Sequence, residues 1–162
     1  MIYCDTSLLI ASLIPEAATE KVQIWLQKQA EGTLCISDWV INEFSSALAI
    51  KIRRGVLPAD RQGDMLARWQ TMIAEQLTLL PVPQPAFALA ARYCEMKATN
   101  LRAADALHLA VAAPGGHALA TLDARLAEGA QAVGERVVGS LGERLGLCEL
   151  EPLDQLRSKS SF

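Results

Sequence analysis

Short apolar runs alternate with longer amphipathic stretches along this chain. Met1–Cys4, Thr33–Ile36, Leu77–Val82 and His117–Thr121 read as short strands, with Val137-Val138 as a candidate fifth. Between them the period lengthens to that of a helix. Thr6 or Ser7 is placed to cap a helix after the first strand. Glu16–Ala30 carries helical spacing through Val22, Trp25 and Leu26, and Gly32 stops it. Ser37-Asp38 opens a helix that runs to Arg54 and ends at Gly55, and Pro58-Ala59-Asp60 starts another reaching Gln76. Pro83 and Pro85 open a helix containing Phe87, Leu89, Ala90 and Tyr93. Asn100-Leu101-Arg102 leads into a strongly apolar helix, Ala103–Ala113, which Pro114-Gly115-Gly116 breaks. Asp123–Ala132 is the last helix. Strands alternating with helices predict an α/β chain, with three α/β/α layers around a central, mostly parallel sheet of four to five strands. Residues 1–150 are expected to form one domain, with Leu147-Cys148-Glu149-Leu150 as a candidate edge strand. Residues 151–162 are expected to form a tail that frays from Arg157 to Phe162.

Composition narrows this picture. With 51% apolar and 20% charged residues in 162, there is enough material for one real core and no sign of disorder. No apolar run approaches the roughly 20 residues needed to cross a bilayer, so no membrane role is expected. The start, Met1-Ile2-Tyr3-Cys4-Asp5, lacks a basic region and a long apolar one, and does not read as a signal peptide. Cys4, Cys35, Cys94 and Cys148 form no C-x-x-C pair, and read as buried thiols in a reducing cytoplasm. The net charge of −3 counts against nucleic-acid binding, unless acids gather in a site and bases on its rim. Lys51-Ile52-Arg53-Arg54 and Arg102 are candidates for such a rim, and equally for solvated helix faces.

The acids supply the candidate chemistry. Asp5 directly follows the first strand, and Asp123 follows the fourth with Leu122 between it and Thr121. In open parallel sheets the carboxyl ends of strands converge on one crevice, so these two carboxylates point toward one place. Glu43 lies at the border of an apolar stripe through Val40, Phe44, Ala47 and Leu48, which also suits an ordinary surface glutamate. From Ala103 to Ala113 only Asp105 and His108 are polar. A carboxylate on a buried helix is costly unless paired, hydrogen-bonded or bound to metal, although a first-turn Asp also serves the helix dipole. His108 reads as a hydrogen-bonded core group and is left out of the candidate site. Two unit charges about 4 Å apart repel by roughly 4 kcal/mol at an effective dielectric near 20. Carboxylates meeting in one pocket must therefore bind a cation or take up protons. An all-oxygen set suits Mg2+ or Mn2+, and such an ion activates water toward a phosphodiester.

At these residues the sequence resembles VapC-type toxin ribonucleases of the PIN-domain family. The pieces are Ile2-Tyr3-Cys4-Asp5-Thr6-Ser7, then Asn42-Glu43-Phe44, then Asp105-Ala106-Leu107-His108-Leu109-Ala110, then Thr121-Leu122-Asp123 followed by Arg125-Leu126-Ala127. Each alone is weak, but together and in this order they are specific over residues 1 to about 138. The resemblance implies a metal-dependent endoribonuclease, the toxin of a toxin–antitoxin pair. It implies that Asp5, Glu43, Asp105 and Asp123 hold one or two Mg2+ or Mn2+ ions and activate water. Asp123 would act through a water, and Glu43 would orient the nucleophile or serve as general base. Thr6, Ser7 and Thr121 either hydrogen-bond the acids or a metal-bound water, or simply cap helices. The resemblance further implies a homodimer and a cognate antitoxin that blocks the acidic cleft. Residues 53–76 and the tail after Gly139 make the chain longer than compact family members. Competing readings are a haloacid-dehalogenase-like phosphatase or other Mg-dependent phosphohydrolase, a receiver domain, and a catalytically silent PIN-like binding module. The first expects a second Asp where Ser7 stands, the second expects paired early acids and a later lysine, and the third expects lost acids.

Overall fold

The computed structural model describes residues 1–138. The expectations for Cys148, for Leu147–Leu150, for the domain end at 150 and for the tail lie outside those residues. Among the described residues five strands form one sheet: β1 Ile2–Cys4, β2 Leu34–Ser37, β3 Thr78–Leu80, β4 Ala118–Ala120 and β5 Val137–Val138. Their order is β3-β2-β1-β4-β5, and every pairing among the described residues is parallel, in keeping with the mostly parallel sheet expected from the sequence. The helices are α1 Thr6–Leu13, α2 Thr19–Gln27, α3 Asp38–Arg53, α4 Gln62–Gln76, α5 Gln84–Glu95, α6 Ala103–Ala112 and α7 Ala124–Ala132. A 3-10 turn at Ala59–Arg61 precedes α4, and another at Ala113–Gly115 follows α6.

This strand order sorts the helices into two layers. The chain steps from β1 to β2 to β3 in one direction, then crosses back to β4 and on to β5. Right-handed crossovers place the first helices on one face of the sheet and the later ones on the other. Accordingly α1 packs on α2, α3 and α4, while α6 packs on α5 and α7. β1 and β2 are fully buried, as strands covered on both faces must be. α1 is apolar nearly all round and buries Leu8, Leu9, Ile10, Ala11 and Leu13. Phe44 of α3 stacks on Trp69 of α4 with ring centroids 4.2 Å apart, which fastens the long 53–76 stretch to the core.

Three local expectations are corrected. The cap of α1 is Asp5 itself, whose carboxylate accepts from the Leu8 amide, because the hydroxyls of Thr6 and Ser7 are drawn to carboxylates instead. The third strand is only Thr78–Leu80, because its flanks have no ladder partner: β3 is an edge strand pairing with β2 alone. Cys94 is exposed rather than buried, because it lies on the last turn of α5, where only Tyr93 remains partly covered.

Candidate active site

The point where the chain reverses its direction of travel lies between β1 and β4, and crevices form at such points beyond the strand carboxyl ends. Asp5 leaves β1 there, its amide donating to the Ala120 carbonyl at 3.0 Å. The carboxylate is 4% exposed. It accepts from Ser7 Oγ at 2.8 and 3.0 Å, from Thr121 Oγ1 at 2.9 Å and from the Leu8 amide at 3.2 Å. Thr121, buried at the end of β4, also accepts from the Asp123 amide at 2.9 Å. Ser7 Oγ accepts from the Leu122 amide at 2.9 Å. Two hydroxyls therefore tie the strand ends together around one carboxylate. No Lys or Arg forms an ion pair with Asp5 among the described residues. Burial pushes the Asp5 carboxyl above its ordinary range, and His108 together with the hydrogen bonds from Ser7, Thr121 and Leu8 only partly offsets this.

Asp105 stands half-buried in the first turn of α6. Helices that return along a parallel sheet run opposite to its strands, so the start of α6 falls at the same edge as Asp5. Burial raises the Asp105 carboxyl, and the charge of Asp123 raises it further against the pull of Arg102, His108 and Arg125. Those two acids thus share a neighbourhood. Asp123 is exposed and caps α7, accepting from the amides of Arg125 at 2.8 Å and Leu126 at 3.1 Å through one oxygen, Oδ1.

Glu43 is half-buried on α3 and engaged through Oε2, which accepts from Thr6 Oγ1 at 2.7 Å and lies 2.5 Å from His108 Nε2. Burial works to raise its carboxyl, but the His108 hydrogen bond and charge, the Thr6 bond and the nearby Trp39 indole outweigh it and hold the group low. Beyond His108 the contacts continue inward. Its Nδ1 lies 3.1 Å from Tyr3 Oη, which lies 2.7 Å from Ser37 Oγ, and all three residues are buried.

Ser7 and Thr121 thus bind Asp5, Thr6 binds Glu43, and Asp105 feels Asp123. Among the described residues, no three His, Cys, Asp or Glu side chains are drawn together tightly enough to enclose a metal ion. The base cluster expected on the rim is divided. Lys51 pairs with Glu16, about 12 Å along α3 from Glu43, whereas exposed Arg102 begins α6 and Arg125 lies close enough to Asp105 to act on it. Sequence reasoning read His108 as a hydrogen-bonded core group, which it is, but left it out of the site, and it passed over Tyr3 and Ser37. The signal for His108 was its place three residues after Asp105, on the same face of an otherwise apolar helix. Nothing marked Tyr3 or Ser37, which look like ordinary strand residues.

The chain matches the PIN domain model over residues 2–131 and belongs to that family, a family of nucleases. Solved structures of the same fold include FitAcB from Neisseria gonorrhoeae, at 21% identity and TM-score 0.61, covering 85% of this chain and 96% of that one. VapC20 from Mycobacterium tuberculosis, described as a sarcin–ricin loop cleaving toxin, is similar at 17% identity and TM-score 0.63, covering 83% and 96%. VapBC2 from Rickettsia felis, solved with a DNA fragment from its promoter, has 13% identity and TM-score 0.54, covering 76% and 88%. No curated protein matches the sequence. Among the described residues no helix is long and apolar enough to cross a membrane.

Proposed function

We propose that this chain is a metal-dependent endoribonuclease and the toxin of a toxin–antitoxin pair, acting in the cytoplasm as a homodimer. The observation that carries the nuclease reading is Asp5, a buried carboxylate at the switch point of the sheet, dressed with hydroxyls and paired with no base among the described residues. Such a group is costly unless a cation completes it. The donors fit a hard ion: Asp5 and Asp105 are oxygen ligands with raised carboxyls, and Mg2+ is commonly held by only one or two carboxylates, with water and substrate phosphate filling the other positions. A site with fewer than three enclosing side chains is therefore compatible with Mg2+ or Mn2+. The ion would lower the pKa of a bound water and stabilise charge on the phosphate under attack.

Asp5 and Asp105 are assigned as ligands, and Asp123 as a ligand through water, using the oxygen its capping bonds leave free. Glu43 is assigned to orient the attacking water, because its carboxyl is held ionised and so accepts a hydrogen bond, whereas the same lowering makes it a weak proton acceptor. Ser7, Thr6 and Thr121 hold these carboxylates in place. RNA as substrate is favoured by the likeness to VapC20, and an antitoxin partner by the likeness to FitAcB and VapBC2. The test is cleavage of a mixed RNA pool and of matched single-stranded DNA, with Mg2+ or Mn2+ and then with excess EDTA. The expected result is RNA cleavage with metal and none with EDTA. Cleavage that survives EDTA, or cleavage of DNA alone, would overturn the assignment.

A further inference from the structure

His108 is 3% exposed on a helix that is otherwise apolar, and both of its ring nitrogens are engaged. Its Nε2 faces Glu43 Oε2 at 2.5 Å, and a carboxylate oxygen can only accept, so Nε2 must carry a proton. Its Nδ1 faces Tyr3 Oη, and Tyr3 is braced by Ser37. Tyr3 remains a phenol, because burial pushes its hydroxyl far above its ordinary value. Three elements, β1, β2 and α6, therefore converge on one ring and aim it at one oxygen of Glu43, on α3. Thr6 of α1 meets the same oxygen. Both of these bonds fall on Oε2, and the indole of Trp39, whose Nε1 is buried, lies close enough to Glu43 to help hold its carboxyl low.

We propose that His108 is a positioning residue: buried and locked by Tyr3 and Ser37, it pins Glu43 through Oε2 and so fixes where that carboxylate points. The inference rests on the role given to Glu43 above. A histidine whose other nitrogen is fixed by a buried partner has its ring orientation set by the fold, so the carboxylate it holds is preorganised. The same bond limits Glu43 to one face. Tyr3 and Ser37 act on the reaction only through His108.

The test has a spectroscopic arm and a kinetic arm. Nitrogen-15 NMR of the metal-free wild type reads which ring nitrogens carry protons. The expected result is a protonated Nε2 with a slowly exchanging proton that is lost in Glu43→Ala. An unprotonated Nε2, or an unchanged signal in Glu43→Ala, overturns the proposal whether or not the protein cuts RNA. In the kinetic arm His108→Ala is expected to lower kcat by about 10–100-fold with little change in KM, the range typical of lost outer partners. His108→Gln, whose side-chain amide donates from a similar place, is expected to recover most of that loss. In a Glu43→Ala background, His108→Ala is expected to add almost nothing. Circular dichroism and thermal melts screen each variant for folding. A folded His108→Ala at full rate, no recovery in His108→Gln, or a full extra loss in the Glu43→Ala background would refute the positioning role. A wild type that cuts no RNA but shows the expected NMR signal would refute the nuclease reading alone.

Discussion

At the scale of the residue, the site sets two kinds of carboxyl against each other. Asp5 and Asp105 are raised by burial, so the folded chain holds their protons more tightly than the unfolded chain does. Stability from these groups is present at low pH and is lost as pH rises from the ordinary carboxylate range through their raised values. Glu43 is held low by His108 and Thr6 despite burial, so its contribution is present above the ordinary range and is lost as pH falls through its lowered value. Ionised Asp5 is thus a cost to the metal-free fold at neutral pH. Replacing it by Asn keeps the shape and the capping ability while removing the charge. Asp5→Asn is therefore expected to melt no lower than wild type without metal at pH 7, and by differential scanning calorimetry a few degrees higher. A marked loss of Tm would mean that the carboxylate is wanted for its hydrogen bonds and not kept for a cation. If these carboxyls hold the proposed ion, their raised values set metal in competition with protons. Added Mn2+ should raise the wild-type Tm at pH 7.5 and do so much less at pH 5, and Asp5→Asn should abolish the effect.

At the scale of the element, the acids are usable because helix starts deliver them. Asp5 caps α1, Asp123 caps α7, and Asp105 sits in the first turn of α6, so each meets the positive end of a helix as well as its neighbours. α7 must lie close to the segment before α6 for this to hold. Gly129 of α7 allows it: a Cβ there would stand 2.5 Å from Leu101 Cδ2 and 2.6 Å from Leu101 Cγ. Leu101 is buried and joined to Arg102 at the head of α6, so it has little room to yield. Gly129→Ala is expected to destabilise the fold by about 1–3 kcal/mol in urea denaturation, the usual range for overpacking. An unchanged midpoint would mean that α7 can drift from α6.

Much of this architecture was legible in the sequence, because strand and helix periods are local signals. The apolar run Ala103–Ala113 announced a buried helix, and its one carboxylate, Asp105, announced a cost needing an explanation. What stayed hidden was pairing across distance. Which hydroxyl meets which acid depends on strand register, and Tyr3 meeting both Ser37 and His108 has no trace in any periodicity. A helix start was legible after the first strand, but the extent of α1 was not, since an eight-residue helix that is apolar nearly all round shows no stripe.

At the scale of the whole molecule, the strand order creates one edge where Asp5, Thr121 and Asp123 leave the sheet, and the helix starts at that edge add Asp105. Net charge is −3, so attraction for a polyanion must be local. Arg102 is exposed at the head of α6, and Arg125 acts on Asp105. With RNA as substrate, Arg102→Ala is expected to raise KM several-fold at low salt and less at high salt, as steady-state assays across ionic strength would show. A salt-independent KM in both proteins would remove Arg102 from the RNA path.

The central claim is that the carboxylate at the end of β1 works with a divalent ion to cut RNA. The most direct test is RNA cleavage by wild type and Asp5→Asn across a Mg2+ or Mn2+ titration, with folding checked in parallel. The expected result is metal-dependent cleavage by wild type and loss of at least a thousandfold (about 4 kcal/mol of transition-state stabilisation) in a fully folded Asp5→Asn. Full cleavage by the folded variant would contradict the account.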